Sequence, residues 1–382
     1  IPLRLVGSEM CIRDRRYPPG IGESRAYRLG LDASWEIDVF GGRRRAVERA
    51  DADVQAIEED GHALRLSLLA ELAADYAALR STQARADIAR DNIATLVRAE
   101  QLALRAVRHG LGTAADVAQA RAERELAEAR LPELQGEQAR LVHAISVLAG
   151  GFPADGAATL AAAGQPLLVP PALPAGLPSD VVRNRPDIRA AERRLAAATA
   201  GIGVAQAARL PQFVIPLSLG SAASLVHELF SHASVAWSLG AAASQSVYDG
   251  GRASAGLRAA LAQADAHRVA YAQSVRRAFQ DVEDALAGLH AEQARQQALA
   301  AAVHDSQDAL ARATRLYQHG LTGYLTVLTA QRATYQSRDA LALSQLARTR
   351  HAIGLYKALG AGWQAPADAA PPSPLLSLIH IS

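Results

Sequence analysis

The sequence is poor in several residue types, and each shortage excludes a class of protein. Its 382 residues include one cysteine, one methionine and 4% aromatic residues. Scarcity of cysteine suits a compartment in which stray thiols oxidise. The formal net charge is only +2 and no run of Lys or Arg follows one helix face, so nucleic-acid binding is not predicted. No apolar stretch reaches 18 uncharged residues, so no transmembrane helix is predicted.

Motifs for catalysis or metal binding are missing as well. The segment from His227 to His232 comes nearest to a metalloprotease helix, but histidines five residues apart lie about 140° apart around a helix. The Gly-Ile-Gly at residues 201–203 lacks the third glycine of a dinucleotide loop. His109 and His319 precede glycines at predicted helix ends, where histidine commonly interacts with terminal carbonyls. We therefore predict no enzyme, no metal site and no cofactor.

A long segment of the chain occurs twice. A Gly-Gly-Arg motif recurs after 209 residues, at Gly42 and Gly251, and a His-Gly-Leu motif recurs after 210 residues, at His109 and His319. A glycine that closes each copy, Gly150 and Gly360, also recurs after 210 residues. An internal repeat of this length indicates a duplicated architecture.

Each copy predicts a hairpin of two long helices. Residues 43–108 and 252–318 contain no proline, and at 1.5 Å per residue each would form a helix roughly 100 Å long. The returning arms, 113–148 and 325–358, are about half as long. Apolar residues recur at intervals of three and four, as in a heptad seam that needs a partner helix. The seam positions are Val47, Ala50, Val54, Ile57, Gly61, Leu64 and Leu68 in the first copy, and Val275, Phe279, Val282, Leu286 and Leu289 in the second.

Strands are predicted before each long helix. From Tyr27 to Phe40 apolar and polar residues alternate, which indicates a strand with one apolar face. This length suits a tilted membrane strand, and a half-buried strand of a soluble sheet is the alternative. Further strands are predicted at 212–221 and 235–247, with a short one at 167–169. The glycine pairs that separate strand from helix are Gly41 with Gly42 and Gly250 with Gly251.

A charged block precedes the second group of strands. Residues 177–192 read Leu-Pro-Ser-Asp-Val-Val-Arg-Asn-Arg-Pro-Asp-Ile-Arg-Ala-Ala-Glu. Pro186 followed by Asp187 is a favourable first helical turn, so a helix is predicted from there to Leu210, where Pro211 ends it.

This block resembles the middle signature of the outer membrane factors, the TolC/OprM-like exit ducts of efflux pumps. The branch is that of the NodT-type outer membrane lipoproteins of RND efflux systems. The signature positions are Arg185, Pro186, Asp187 and Glu192. Residues 35–41 and 248–252 are similar to the family's two strand-to-helix junctions. The resemblance extends over roughly residues 27–363.

The resemblance implies a fold and a function. The expected fold is mainly α with β, in which duplicated long helical hairpins form a periplasmic α-barrel and strands enter a trimeric outer-membrane β-barrel. The chain is expected to be the outer-membrane exit duct of a tripartite pump, a passive path for small molecules and drugs. Expected partners are two further copies, a periplasmic adaptor (membrane fusion) protein, an inner-membrane RND pump and outer-membrane lipids. Adaptor and pump are expected to open the duct by an iris-like shift of helices.

Roles for individual residues follow from the same resemblance. The corners are expected to be periplasmic tips that contact the adaptor, and Leu325 and Thr329 are expected to line the closed aperture. Thr329 departs from the family's acidic pattern, so an aspartate-type gate is not expected there. Leu325 has the alternative role of a coiled-coil core residue. Trp35 and Trp237 are candidates for an aromatic girdle or for packing against neighbouring strands. The tip residues are His109, Gly110, Leu111, Gly112, Thr113, His319, Gly320, Leu321 and Thr322.

The predicted organisation has eight segments. Both ends resemble translated sequencing-adaptor sequence, and the chain is expected to be a fragment whose first barrel strand, first helix and any lipidated cysteine precede residue 16. The segments are 1–15, similar to sequencing-adaptor sequence; 16–40, a barrel strand, the family's second; 41–150, the first helical hairpin; 151–178, an equatorial loop region; 179–211, a short helix leading to the barrel; 212–248, two barrel strands; 249–363, the second hairpin; and 364–382, a disordered tail whose end is similar to sequencing-adaptor sequence.

Two alternatives to a drug-efflux duct stay open at this point. A duct for type I protein secretion would share the fold and differ in its pump. A soluble coiled-coil scaffold would explain the heptads and the neutral charge, but it accounts poorly for amphipathic strands placed before each long helix.

Overall fold

Long helices alternate with a small group of strands. The computed structural model describes residues 26–160 and 183–361. Three predicted features lie outside the described residues: the ends that resemble sequencing-adaptor sequence, the strand at 167–169 and the first part of the signature block. In chain order the elements are β1 (Tyr27–Ile37), α1 (Gly42–Arg108), α2 (Ala114–Leu148), α3 (Ala157–Leu160), α4 (Pro186–Ala207), β2 (Gln212–Ala223), 3₁₀ helices at Val226–Phe230 and His232–Ser234, β3 (Val235–Leu239), β4 (Ala242–Ser244), α5 (Arg252–Gln318) and α6 (Tyr324–Ala358).

The chain divides into two compact units. One unit holds the described residues up to Arg49 together with Thr199–Ala262. The other unit holds Ala50–Ala198, apart from the residues not described, and the chain from Gln263 onwards. Among the described residues, no helix combines the length and the apolar character that a membrane span requires.

The first unit contains an antiparallel sheet with β2 at its centre. Strand β1 pairs along one edge of β2, from Tyr27 opposite Ala223 to Ile37 opposite Phe213. Strands β3 and β4 pair along the other edge. This register places the larger apolar residues of β1 and β3, and those at alternate positions of β2, on one face, and most of them are exposed in the single chain. The exposed apolar residues of this face are Leu29, Leu31, Trp35, Ile37, Leu217, Leu219, Val235, Trp237 and Leu239.

Trp35 and Trp237 share this face at different positions along β2. Trp35 lies opposite Ile215, and Trp237 lies opposite Leu219. Four residues of antiparallel strand correspond to about 13 Å. The register therefore separates the two indoles along the strand direction, and their role in a girdle remains a prediction.

Several bounds differ from the sequence prediction: β2 runs to Ala223 and not to 221, β4 ends at Ser244 and not at 247, and α4 ends at Ala207 and not at Leu210. Strand β1 ends at Ile37 and not at Phe40, because the Asp38 carboxylate accepts hydrogen bonds from the first turn of α1. The predicted strand 235–247 is interrupted between Leu239 and Ala242. The two halves keep one register, and the gap lies opposite Pro216 of β2. Proline has no N–H for the ladder, which explains the interruption.

The second unit contains the helical arms of both copies. The helices end at Arg108 and Gln318 before the two corners, as the sequence predicts. Their buried core is rich in alanine, which allows close approach of helices; Ala78, Ala86, Ala103 and Ala120 are examples.

The predicted heptad seam of α1 is not buried within one chain. Val54, Ile57, Leu64 and Leu68 are all exposed, with Ile57 at 69%. The buried residues of this stretch are Ala52, Ala56, Glu59 and Leu66. This apolar stripe has no partner helix within the described residues of its own chain, so the predicted seam stays a prediction that needs a helix from elsewhere.

Candidate functional site

The two strand-to-helix junctions share one capping arrangement. The Asp38 carboxylate accepts hydrogen bonds from the Arg44 and Arg43 N–H groups at 2.9 and 3.1 Å. The Asp249 carboxylate accepts bonds from the Ala253 and Gly251 N–H groups at 2.7 and 2.8 Å. These backbone bonds satisfy donors that a helix start leaves free. They also lower the pKa of both carboxyls, chiefly through the Arg44 bond for Asp38 and the Ala253 bond for Asp249.

Glycine is required at these junctions for two reasons. Gly41, Gly250 and Gly251 have φ of +77°, +64° and +87°, which L side chains rarely adopt. Gly42 has ordinary φ, but a Cβ there would lie 2.9 Å from the Ala207 Cβ of α4. Three of the four predicted junction glycines therefore allow the chain to turn, and Gly42 allows α4 to lie close to the start of α1.

The signature residue Arg185 joins three helices. Its side chain is 11% exposed. The guanidinium donates to Asp187 at the start of α4 at 2.8 Å, to Asp281 of α5 at 2.9 Å and to the Ala358 carbonyl at the end of α6 at 3.2 Å. We call Arg185, its three acceptors and Gly360 the Arg185 clamp.

Gly360 completes the clamp by close approach. Its φ is +68°, and a Cβ there would lie 2.7 Å from the carbonyl carbon of Asn184. Next to it, Pro186 is fully buried and Ile188 packs against Ala278 of α5. The signature residue Glu192 stands apart, since it is half exposed and pairs with its neighbour Arg193 at 2.8 Å.

Helix α4 is also tied to α1. Arg189 pairs with Glu59, and Arg194 pairs with Asp60. The signature block thus brings the start of α4 into contact with α1, α5 and α6 within one unit.

The two corners have the same backbone. In the first, the Leu111 N–H donates to the Ala106 carbonyl at 2.9 Å and Gly110 has φ of +75°. In the second, the Leu321 N–H donates to the Leu316 carbonyl at 2.9 Å and Gly320 has φ of +71°. This is the Schellman type of helix end. His109, Leu111, His319 and Leu321 are exposed, so each corner presents an apolar side chain to solvent.

The corners differ in how the next helix begins. Thr113 forms a capping box with Asp116 at the start of α2. Gly323 begins α6 without a side-chain cap, and the Thr322 hydroxyl donates to the Thr326 hydroxyl at 3.0 Å. The second corner therefore has the weaker helix start.

The two aperture candidates share an exposed face of α6. Leu325 is 61% exposed, and Thr329 is exposed one turn further on. The Thr329 hydroxyl donates to the Leu325 carbonyl at 2.8 Å. Neither position carries a charge. The next residue on this face, Arg332, pairs with Glu123 of α2.

Buried tyrosines lie behind this face. The rings of Tyr317 and Tyr324 meet edge to face with centroids 5.7 Å apart. Tyr324 is 2% exposed. The hydroxyls of both tyrosines and the Gln331 side-chain oxygen have no hydrogen-bond partner in the described part of the chain. Burial raises the pKa of Tyr324 to about 12, so it stays a neutral hydroxyl.

These tyrosines were not predicted from the sequence. The repeat contains a usable signal, because the corresponding residues of the first copy, 210 positions earlier, are Val107 and Ala114. The second copy alone places aromatic hydroxyls on both sides of its corner. A difference of this kind between the copies indicates that these positions have a role in the second copy that they lack in the first.

The fold and this site define a class of protein, the outer-membrane ducts built from membrane strands and long helical hairpins. The family model described as "Outer membrane efflux protein" matches residues 19–151 and 177–361. The chain belongs to the outer membrane efflux protein family.

Individual relatives agree with this assignment. The solvent efflux pump outer membrane protein SrpC of Pseudomonas putida is 32% identical over 350 residues, which cover 90% of this chain and 73% of the relative. The cation efflux system protein CusC of Escherichia coli is 32% identical over 344 residues, which cover 89% and 74%. The solved outer-membrane channel OprN superposes with a TM-score of 0.87 at 37% identity, covering 91% of this chain and 79% of that one.

The function follows from the family. The chain is an outer-membrane exit duct of an efflux system, located in the outer membrane and extending into the periplasm. It is a channel protein and not an enzyme. The soluble scaffold considered from the sequence is thereby set aside.

Proposed function

We propose that three copies of this chain close into one duct, that a periplasmic adaptor docks on its corners, and that an inner-membrane RND pump delivers substrate to it. The observation that carries the assembly is the open sheet. In the described residues β1 pairs only with β2, and β3 and β4 also pair only with β2. Both outer edges are therefore unpaired.

Open edges are not tolerated in a bilayer. Each unpaired N–H and C=O in hydrocarbon costs several kcal/mol, on the order given by transfer data. An apolar sheet face with two free edges therefore needs further strands on both sides. Copies of the same chain supply them by closing a barrel, which removes every edge.

The exposed stripe of α1 supports the same assembly. Val54, Ile57, Leu64 and Leu68 follow one helix face and are uncovered in the single chain. A heptad stripe is buried by a second helix. A neighbouring copy provides that helix, whereas a solitary chain leaves the stripe in water.

The corners suit adaptor contact. Leu111 and Leu321 are 77% and 72% exposed, on turns fixed by Gly110 and Gly320. A rigid turn with a protruding leucine can insert between helices of a partner protein. We assign these residues, with His109, Gly112, Thr113, His319 and Thr322, to the adaptor interface.

Transport through the proposed duct is passive. Leu325 forms an apolar constriction, and Thr329 adds a hydroxyl that is already bonded within its own helix. Because neither residue is charged, the aperture does not select by charge. The relatives named for solvents and for cations are compatible with a duct whose substrate is chosen by the pump.

The adaptor assignment is tested by substitution at the corners. Gly110→Leu and Gly320→Leu should abolish efflux while trimer still forms; a Cβ at either glycine meets no atom within 4 Å, although the positive φ strains any side chain there. Gly150→Leu, at the other end of the first hairpin, is the matched control, since its φ is +86° and a Cβ there also meets no atom within 4 Å, and it should keep efflux. The readout is drug susceptibility of cells that carry the pump and adaptor but lack their own duct. Unchanged efflux in the corner variants would exclude the assignment.

The aperture assignment is tested by conductance. Leu325→Ala trimers in planar bilayers should conduct more than wild type, while Leu321→Ala in the corner should not. Equal conductance for wild type and Leu325→Ala would favour a packing role for Leu325. A pump that is a protein-secretion ATPase, found by co-purification, would favour the type I secretion alternative.

A further inference from the structure

A groove of about 840 Å³ lies beside the second corner. Its walls are the last turns of α1 and α5, and the first turns of α6 form its floor. The wall residues include Arg98, Leu102 and Leu310, and the floor residues include Tyr324 and Val327. This volume lies within the range of small-molecule sites, roughly 300–1,000 Å³. All the lining residues belong to one chain and one compact unit.

The rim of the groove is cationic. Arg98, Arg105 and Arg315 line it and are exposed. In the described part of the chain none of the three pairs with a carboxylate. Arg105 and Arg315 each donate through Nε to a carbonyl of their own helix at 3.3 Å, and Arg98 donates to the Thr95 hydroxyl at 3.2 Å. A guanidinium group without a carboxylate partner can bind an anion.

The floor of the groove contains the unsatisfied polar atoms. Tyr317, Tyr324 and Gln331 line it at 9%, 2% and 5% exposure. The two hydroxyls and the amide oxygen have no partner among the described residues. Buried polar groups are normally hydrogen-bonded, so each such atom needs an explanation. Two phenolic O–H donors belong to residues that line a cationic groove, and an oxyanion that reaches them would satisfy both.

We propose that this groove binds a small amphipathic organic anion, with the anionic group held by Arg98, Arg105, Arg315 and the two tyrosine hydroxyls, and the apolar body held by Leu102, Leu310 and Val327. The site is made by the helices of one chain. It therefore does not rest on the proposed trimer or on adaptor docking.

Nearby carboxylates do not cancel the rim charge. Glu100, Asp116 and Glu123 lie near enough to contribute to the raised pKa of Tyr324. Each already has its own partner: Arg124 for Glu100, the Thr113 cap for Asp116 and Arg332 for Glu123. None of the three lines the groove.

Occupation of the groove acts on the aperture helix. Tyr324, Val327 and Gln331 belong to the same two turns of α6 as Leu325 and Thr329, on the opposite face. While the buried hydroxyls are unsatisfied, any other packing that satisfies them is favoured. A ligand that bonds to these hydroxyls removes this cost and therefore favours the present packing of the segment. The site is thus placed to bias the position of the aperture residues.

Binding is measured by calorimetry on the full chain in nanodiscs of neutral lipid, with empty nanodiscs as the blank. The probes are 2-naphthoate, the neutral 2-naphthalenemethanol and inorganic phosphate. We expect 2-naphthoate to saturate at one site per chain and to bind at least tenfold more tightly than either other probe. Equal binding of the alcohol, or equal binding of phosphate, would overturn the proposal.

Variants locate the site. Arg315→Gln and Tyr324→Phe should weaken 2-naphthoate binding at least fivefold, whereas Arg312→Gln, exposed on the same helix but outside the groove, should not. Ala311→Trp on the rim should block binding while keeping every charge, so the site can be tested even if Tyr324→Phe disturbs folding. Equal loss in the Arg312 and Arg315 variants, or unaltered binding in Ala311→Trp, would contradict the assignment.

Discussion

The Arg185 clamp and the second corner lie in the same helical unit, but they treat their buried polar groups in opposite ways. At the clamp, a nearly buried guanidinium donates to two carboxylates and a helix-end carbonyl. At the second corner, two buried hydroxyls and an amide oxygen have no partner among the described residues. The buried groups of the clamp are satisfied in this structure, while the corner keeps unsatisfied groups beside a groove.

This difference shows where the helices are fixed and where they can repack. Fully paired buried networks are rigid and specific. An unpaired buried group costs about 1–3 kcal/mol, which a second arrangement can recover. We infer that the start of α6, near the proposed constriction at Leu325, is free to repack, and that its end near Ala358 is held by the clamp.

Matched glycine substitutions should show the largest contrast. Gly360 and Gly320 have nearly the same φ, +68° and +71°, but only Gly360 faces backbone atoms at 2.7 Å. Gly320→Ala should cost about 1 kcal/mol for its conformation alone, and Gly360→Ala should cost about 3 kcal/mol or more because backbone must move. Thermal unfolding in detergent, followed by circular dichroism, measures both. Equal losses would mean that the clamp is no tighter than the corner.

Loss of the clamp arginine should have the next largest effect. Arg185→Gln leaves Asp281 and the Ala358 carbonyl without their donor, and about 2 kcal/mol of stability should be lost, less than for a fully buried pair because Asp281 is half exposed. The control is Arg194→Gln, whose pair with Asp60 is exposed on both sides and should contribute less than about 1 kcal/mol. The free energy of unfolding of both variants is measured by chemical denaturation. A loss no larger than the control would contradict a clamp at Arg185.

Removal of a polar group at the second corner should raise stability, whereas removal of one at the clamp lowers it. Tyr324→Phe removes a buried hydroxyl that has no partner, so the free energy of unfolding should rise by up to about 1 kcal/mol. Tyr76→Phe, at a tyrosine of α1 that is 37% exposed, is the control and should leave the free energy of unfolding unchanged. If Tyr324→Phe lowers stability, its hydroxyl is already satisfied, and the contrast with the clamp fails.

The smallest effect concerns the strand-to-helix junctions. The folded pKa of Asp249 is below its ordinary value of 3.8, first because of the Ala253 N–H bond. Its charge therefore stabilises the fold above the unfolded pKa, and this contribution is lost as pH falls through the folded pKa. Asp249→Asn keeps an acceptor oxygen and loses the charge. The variant should melt slightly below wild type at pH 7, and the difference should shrink at an acid pH below 3.8 as Asp249 becomes protonated. A constant difference at both pH values would exclude the charge as the cause.

Much of the fold could be predicted because glycine and proline are local signals. The corners at Gly110 and Gly320 and the unbroken runs between them fix the long helices without reference to other parts of the chain. The strand interruption could not be predicted in this way, since it depends on Pro216 lying opposite residue 240 in the register.

The site was less accessible from sequence. The exposed seam at Val54 and Ile57 has the pattern of a buried one, and only packing shows that no helix among the described residues covers it. The role of Arg185 in joining α5 and α6 depends on contacts with residues about 100 and 170 positions away. The unpaired state of the Tyr324 hydroxyl likewise depends on where three helices meet.

The most direct test of the proposed duct is the mass of the particle extracted from the outer membrane in mild detergent, by light scattering corrected for bound detergent. The open edges of β1 and of β3 with β4 require further strands on both sides, and the proposed duct predicts a particle whose protein mass is three times that of one chain. A single chain or a pair of chains recovered from the soluble fraction would contradict the barrel and the duct built on it.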